Sequence, residues 1–383
     1  MGGTTENVEQ DSALGVDDLD DLRITNIRPL MPSACLIDEV YDPSVYDAIT
    51  GARIALSRVV KGSDDRLIVV TGPSSTHDPD AALEYARQLK PLADKYSGDL
   101  IVVMRVFLDR PAGGAGSWSG AMFDPDLDGS YQINKGFRRA RQLLLEISKL
   151  GLPTGCLYLD AISPQFIADL VSWSSIGERT AESKLHRELA SGLSTPVGFQ
   201  ATKGSVSLAI DAVRASAAPH AFLSVSKQGV AGIVETTGNC DCLVVLPAIG
   251  GAEEAAACAA LSELQLPARV MVDCGAGGAQ VSADEQAAAA REVASRIAQG
   301  SEHVCGVLLA SFLIKGQQSL AAGGASLIRG QSVTSACIDW STTTALLETL
   351  SAAVQKRRRA KLSASAPVVS RGDVSAAGCE HAL

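Results

Sequence analysis

The chain has 383 residues and a formal net charge of −10, enough length for one large barrel or two ordinary domains. The acidic balance argues against nucleic acid or an anionic membrane surface as partner. Hydrophobic residues make up 46% and charged residues 20%, the composition of a chain with a packed core. Aromatics are only 4%, so that core is built mainly from Ala, Val, Leu and Ile.

Residues 1–21 are polar and acidic and are expected to be disordered. They contain no charged-then-apolar leader, and Glu6 stands where a myristoylation signal needs Ser or Thr. Residues 22–65 read as an ordered arm, with Leu22-Arg23-Ile24 and a Pro-spaced stretch to Cys35, followed by a lead-in helix.

Residues 66–361 alternate short apolar runs with helical patterns. The runs are Leu67–Thr71, Leu100–Val106, Cys156–Leu159, Leu170–Ile176, Pro196–Gln200, Cys242–Pro247, Arg269–Cys274 and Val304–Ala310. Continuous apolar strands separated by helices indicate a parallel sheet covered on both faces, and this number of units fits an α/β fold, a closed (β/α)8 TIM barrel. Two more runs flank Lys227-Gln228-Gly229 and predict a β-hairpin at 221–236. Helices are predicted over Ala81–Tyr96, Asn134–Leu150, Glu182–Ser191 and Ala283–Ala298. The last opens with a capping box, Ser282 followed by Glu285.

The basic run Lys356-Arg357-Arg358-Arg359 reads as a solvated helix end rather than a localisation signal. Residues 362–383 are rich in Ser, Ala and Gly and are expected to form a flexible tail. No apolar run reaches the ~20 residues of a membrane span. Nine cysteines lie scattered without zinc spacing and read as reduced core residues of a cytoplasmic protein.

Several segments are similar to the class I DAHP (3-deoxy-7-phosphoheptulonate) synthases. They are Val70–Asp78 (VTGPSSTHD), Val103-Met104-Arg105-Val106, Ser130–Asn134 (SYQIN), Ser172–Thr180 (SWSSIGERT), His186–Leu193 (HRELASGL), Ala218-Pro219-His220 and Thr237-Gly238-Asn239. The resemblance spans roughly residues 20 to 358. It implies a barrel with an N-terminal arm and an inserted hairpin. It also implies condensation of phosphoenolpyruvate with erythrose 4-phosphate at a divalent metal, and inhibition by aromatic amino acids.

The implied site positions depart from the family pattern. Ser74 stands for a metal-binding Cys, Ala276 for a His, Ala310 for a Glu and Ser335 for an Asp. Gln200 replaces a phosphate-binding Lys, Pro247 an Arg and Leu157 a Glu. The Lys-Pro-Arg-Thr segment becomes Arg110-Pro111-Ala112-Gly113. Arg105 and Arg179 remain as candidate catalytic cations, and Asp160 and Asp273 as candidate acids or bases.

These replacements, with Cys274, predict an apolar pocket without a metal or other cofactor. They lead to the expectation of a metal-independent biosynthetic enzyme of specialised metabolism. It would carry out a cyclisation, rearrangement or addition on a larger, unphosphorylated, apolar molecule. The alternatives are a regulatory pseudoenzyme, paired with an active DAHP synthase paralogue, and a genuine DAHP synthase.

Other readings stay open beside these. Asp160 also fits a loop cap, Asp273 a pair with a barrel cation, and Arg179 an ion pair with Glu178 or Glu182. His77 and His186 fit structural roles, and Gly113–Gly116 a mobile loop. Pro164, Gln165 and Ser194 match positions near the family's effector site, and the arm implies a homodimer or homotetramer.

Overall fold

The structure is a computed structural model that describes residues 20–110, 118–177, 179–248, 250–276, 281–320 and 327–365. The N-terminal segment expected to be disordered and the expected tail lie almost wholly outside these residues, as does Gly113–Gly116.

Eight parallel strands close into a barrel. They are β1 (Leu67–Gly72), β2 (Leu100–Arg105), β3 (Thr154–Tyr158), β4 (Trp173–Ile176), β5 (Val197–Gln200), β8 (Cys242–Pro247), β9 (Val270–Asp273) and β10 (Val304–Ala310), and β1 pairs with both β2 and β10. β6 (Ala221–Val225) and β7 (Ala231–Glu235) form an antiparallel hairpin between β5 and β8. The (β/α)8 architecture and the inserted hairpin are therefore as the sequence predicts. Among the described residues, no helix is long and apolar enough to cross a membrane.

The strands read as unbroken apolar runs because they are buried on both faces. Inward, Trp173 of β4 fills the barrel among Ile68, Val70, Val103, Leu243 and Met271. Glycines on the neighbouring strands make room for it. A Cβ on Gly198 would lie 2.6 Å from both the Trp173 ring and Val245, and one on Gly155 would lie 3.2 Å from the same indole. Outward, the strands pack against α3 (Pro79–Lys95), α4 (Ile133–Lys149), α6 (Lys184–Gly192), α7 (Val206–Ser216) and α9 (Ala283–Ala298). The capping box at Ser282 and Glu285 forms as predicted.

α1 (Ser33–Glu39), α5 (Pro164–Ile167), α7 and α8 (Gly251–Glu263) were not predicted from the sequence. α1 lies inside the stretch read as an arm; it is too short to show periodicity, yet Leu36 is fully buried. It precedes α2 (Tyr46–Val60), and the short α5 follows β3. α8 is Ala-rich and scarcely amphipathic; it is tied down by a buried ion pair, Glu254 with Arg296 of α9.

α10 (Trp340–Ser365) continues past the expected end of the barrel at 361, and its basic run is only partly solvated: Lys356 and Arg359 are exposed, but Arg357 is buried and Arg358 half-buried. Arg358 pairs with Asp65 at 2.7 Å and with Asp99 at 2.6 Å, while Arg357 donates to the Asp65 carbonyl. Asp65 and Asp99 immediately precede β1 and β2, so these cations close the N-terminal end of the barrel.

Two predictions follow from packing. Gly198→Ala should destabilise the fold by about 1–3 kcal/mol, because the added methyl overlaps Trp173 and Val245; equilibrium urea unfolding measures it. Gln286, 1% exposed, accepts from the Ala310 amide at 2.6 Å and donates to the Ala310 carbonyl at 3.0 Å. Gln286→Leu strands the Ala310 amide, while the carbonyl keeps the Ile338 amide at 2.9 Å, and should cost about 1–3 kcal/mol in the same measurement.

Candidate active site

The C-terminal ends of barrel strands carry the chemistry of this architecture, and β10, β1 and β2 lie side by side there. Gly72 of β1 is in register with Ala310 of β10, and a Cβ on Gly72 would lie 2.5 Å from the carbonyl oxygen of Arg105 on β2. That close approach brings Ser74, Arg105 and Ala310 to one place.

Arg105 ends β2 as an incompletely bonded cation. Its Nε is buried without a hydrogen-bond partner among the described residues, and its Nη2 reaches the Ser74 carbonyl only at 3.5 Å. The guanidinium carbon lies 4.0 Å from the centre of the Phe107 ring, a cation–π contact that holds the plane without using its N–H groups. Burial pulls its pKa down, while the carboxylate of Asp273 opposes this and favours the charged form. Asp273 ends β9 and accepts the Gly275 amide at 2.9 Å. The pairing reading of Asp273 thus has an electrostatic counterpart in Arg105.

Ser74 sits in a knot of hydroxyls. It hydrogen-bonds Thr334 at 2.6 Å and Ser332 at 2.8 Å, donates to the Ser335 carbonyl at 3.3 Å, and accepts the Ser335 amide at 3.3 Å. Ser75 joins through Thr334 at 2.8 Å. The family resemblance implies a divalent metal at the positions of Ser74, Ala276, Ala310 and Ser335. Their donor set does not fit one. A resident divalent ion is normally anchored by carboxylate, imidazole or thiolate side chains; two alanines offer none, and the Ser74 hydroxyl is already bonded to its neighbours. Among the described residues, no three His, Cys, Asp or Glu side chains converge on a common point.

The other predicted residues line this end of the barrel to different degrees. Leu157, Pro247, Cys274 and Ala310 are buried, and burial pushes the Cys274 thiol up. Gln200 and Ala276 are half-buried, and Arg179 is exposed after β4 beside Glu178, which lies outside the described residues. Arg110 begins the loop after β2, whose next residues are also outside them.

His77 is buried between Trp118 and Phe312, where burial lowers its pKa and favours the neutral ring. His186 is also buried, and neither ring nitrogen has a hydrogen-bond partner among the described residues. Asp160 caps a turn: its Oδ1 accepts the amides of Ile162 at 2.6 Å and Ser163 at 2.7 Å. It also lines a cavity of about 480 Å3 shared with Arg28, Leu30, Phe123 and Phe137, between the arm and α4 and apart from the hydroxyl knot. Pro164 opens α5, the carbonyl of Gln165 takes Lys227 from the hairpin tip, and Ser194 is exposed after α6.

Sequence reasoning missed the knot around Thr334, which joins residues distant in the chain. It also missed Asp109, buried in Phe107-Leu108-Asp109, where an acidic residue in an apolar stretch just past a strand is a visible signal.

The DAHP synthetase I family profile matches residues 45–348. The Phe-sensitive phospho-2-dehydro-3-deoxyheptonate aldolase of Escherichia coli (strain K12) is 44% identical over 348 residues, covering 88% of this chain and 98% of that protein. The phospho-2-dehydro-3-deoxyheptonate aldolase of Haemophilus influenzae is 42% identical over 350 residues, covering 89% and 96%. The solved phospho-2-dehydro-3-deoxyheptonate aldolase of Francisella tularensis SCHU S4 superposes with a TM-score of 0.83 at 39% identity, covering 88% and 99%.

These matches correct the expectation of a divergent, metal-independent cyclase of specialised metabolism acting on an apolar, unphosphorylated molecule, and with it the regulatory-pseudoenzyme alternative. Likeness of this degree runs through nearly the whole of both chains, and the relatives are named for a phosphorylated sugar acid. The mouth itself is no greasy cleft: Ser74, Ser75, Ser332 and Thr334 fill part of it with hydroxyls, and Arg105 keeps a cation there. The replaced positions are local departures within a close match, and the chain belongs to the DAHP synthetase I family.

Proposed function

We propose that the chain acts as a phospho-2-dehydro-3-deoxyheptonate aldolase, joining phosphoenolpyruvate to erythrose 4-phosphate with consumption of one water and release of inorganic phosphate. The observation that carries this reading is 44% identity extending over 98% of a relative that bears the name.

In this reading Arg105 binds the anionic end of phosphoenolpyruvate, because a buried guanidinium with an unused N–H is a strong donor to phosphate or carboxylate. Asp273 keeps Arg105 charged, and the cation–π contact with Phe107 holds the guanidinium plane while its N–H edge is left for the anion. Arg110 and Arg179, on the loops after β2 and β4, supply further cations for the second phosphate. Gln200 is a neutral donor at the end of β5. Leu157, Pro247, Cys274 and Ala310 form walls that exclude water and strengthen each charged contact, while Ser74, Ser335 and Ala276 complete the rim. Asp160 remains a turn-capping residue in this scheme.

The relatives named Phe-sensitive and tyrosine-inhibited also support an aromatic amino acid as effector near Pro164, Gln165 and Ser194.

The test is product formation by the purified chain from both sugar phosphates, with divalent metal salts added and withheld, beside the E. coli Phe-sensitive relative. Heptulosonate product that requires both substrates is expected. No product above the blank, in every metal condition in which the relative turns over, rules the reading out. Arg105→Gln should lower kcat/KM about 10–100-fold, the loss of one charge-assisted hydrogen bond of about 1.5–3 kcal/mol, with the melting temperature little changed.

A further inference from the structure

Three of the four positions at which the family pattern puts metal ligands are tied together by hydrogen bonds in this chain. Ser74 lies just past β1, Ala310 ends β10, and Ser335 belongs to the strip 332–338 that precedes α10. That strip is fastened on two sides. Its backbone holds β10 and the chain beyond it. The Ile338 amide donates to the Ala310 carbonyl at 2.9 Å, and Gly316 and Cys337 exchange amide-to-carbonyl bonds at 2.8 and 3.1 Å. Towards β1 the strip is held by side chains. Ser74 and Ser75 reach Thr334 at 2.6 and 2.8 Å, and Ser74 reaches Ser332 at 2.8 Å. Ser332 is fully buried and Ser75 is 3% exposed, so a hydroxyl that loses its partner here has little water to replace it.

A hydroxyl carries one proton and two lone pairs. One proton order uses each of the four hydroxyls once. Ser75 donates to Thr334, Thr334 and Ser332 donate to Ser74, and Ser74 donates to the Ser335 carbonyl at 3.3 Å. Both lone pairs of Ser74 are then filled, and none is left to coordinate an ion.

We propose that this knot is a hydrogen-bonded staple. It fastens the strip 332–335 to the end of β1, where the family pattern would join the same segments through a divalent ion. The staple joins residues 258 to 261 positions apart, and with the Ile338 bond it links β1, the strip and β10 in one run. Its members are neutral and bonded in series, so the bonds support one another, and removing one member releases its neighbours as well.

The experiment is thermal melting of the full chain beside Ser74→Ala, Thr334→Val and the double variant. Each sample is run with EDTA and with manganese, iron(II) or zinc salts. Each single change should lower the melting temperature by roughly 1–3 °C. The double variant should fall clearly short of the sum, because both changes remove the same 2.6 Å bond. Ser74→Cys restores the residue of the family pattern, but a thiol is a weak donor and acceptor, so this variant should melt below the parent in every salt. Additive losses in the double variant overturn the proposal. So does a divalent ion that raises the parent's melting temperature by more than about 5 °C and no longer acts on Ser74→Ala. Where Thr334→Val does not fold, Ser75→Ala takes its place in the cycle, and additivity with Ser74→Ala overturns the staple in the same way. None of these readouts requires turnover, so this proposal and the aldolase reading fail separately.

Discussion

The pairing of β1 with both β2 and β10 is the constraint on which the rest of the molecule depends. It turns an open parallel sheet into a ring, and a ring has no unpaired edge to protect. It also places the ends of three strands from opposite ends of the chain within a few ångströms of each other. Gly72 is central to this contact, because its missing side chain lets the carbonyl of Arg105 come within what would be a methyl group's reach. The interior must then be filled, and the Trp173 indole is its largest side chain. Trp173 needs glycine at 155 and 198 for the same reason that Arg105 needs it at 72.

The electrostatic character of the mouth follows from this geometry. Arg105 is carried into a poorly hydrated place where its own charge is disfavoured, and Asp273 on β9 offsets part of that cost. Around the Ser74 hydroxyl the chain satisfies its polar atoms among themselves, hydroxyl to hydroxyl and hydroxyl to backbone. A cationic corner beside a neutral hydroxyl patch suits an anionic substrate better than an apolar one, and this agrees with the naming of the relatives.

The barrel was legible because its strands alternate with helices and are buried on both faces, so each strand appears as an apolar run such as Val304–Ala310. The hairpin was legible because Lys227-Gln228-Gly229 breaks two β-rich runs. The capping box at Ser282 and Glu285 showed itself by spacing alone. What escaped were features that depend on contacts between distant residues. The hydroxyl knot joins residues 74–75 to residues 332–335, and no local pattern marks such a meeting. Reading Ser74, Ala276, Ala310 and Ser335 one at a time suggested an emptied, oily pocket, because a serine in isolation says nothing about which hydroxyls it will face. The basic run at 356–359 was misread for the same reason: its partners, Asp65 and Asp99, lie at the other end of the sequence.

That last arrangement bears on how the protein is made. Arg357 and Arg358 fasten the final helix beneath the first two strands. During synthesis, the earliest strands therefore wait for almost the entire polypeptide before their floor is complete. A nascent chain arrested before α10 would leave Asp65 and Asp99 without their guanidinium partners, and one arrested before β10 would also leave β1 with one neighbour, a half-open sheet of the kind that chaperones guard.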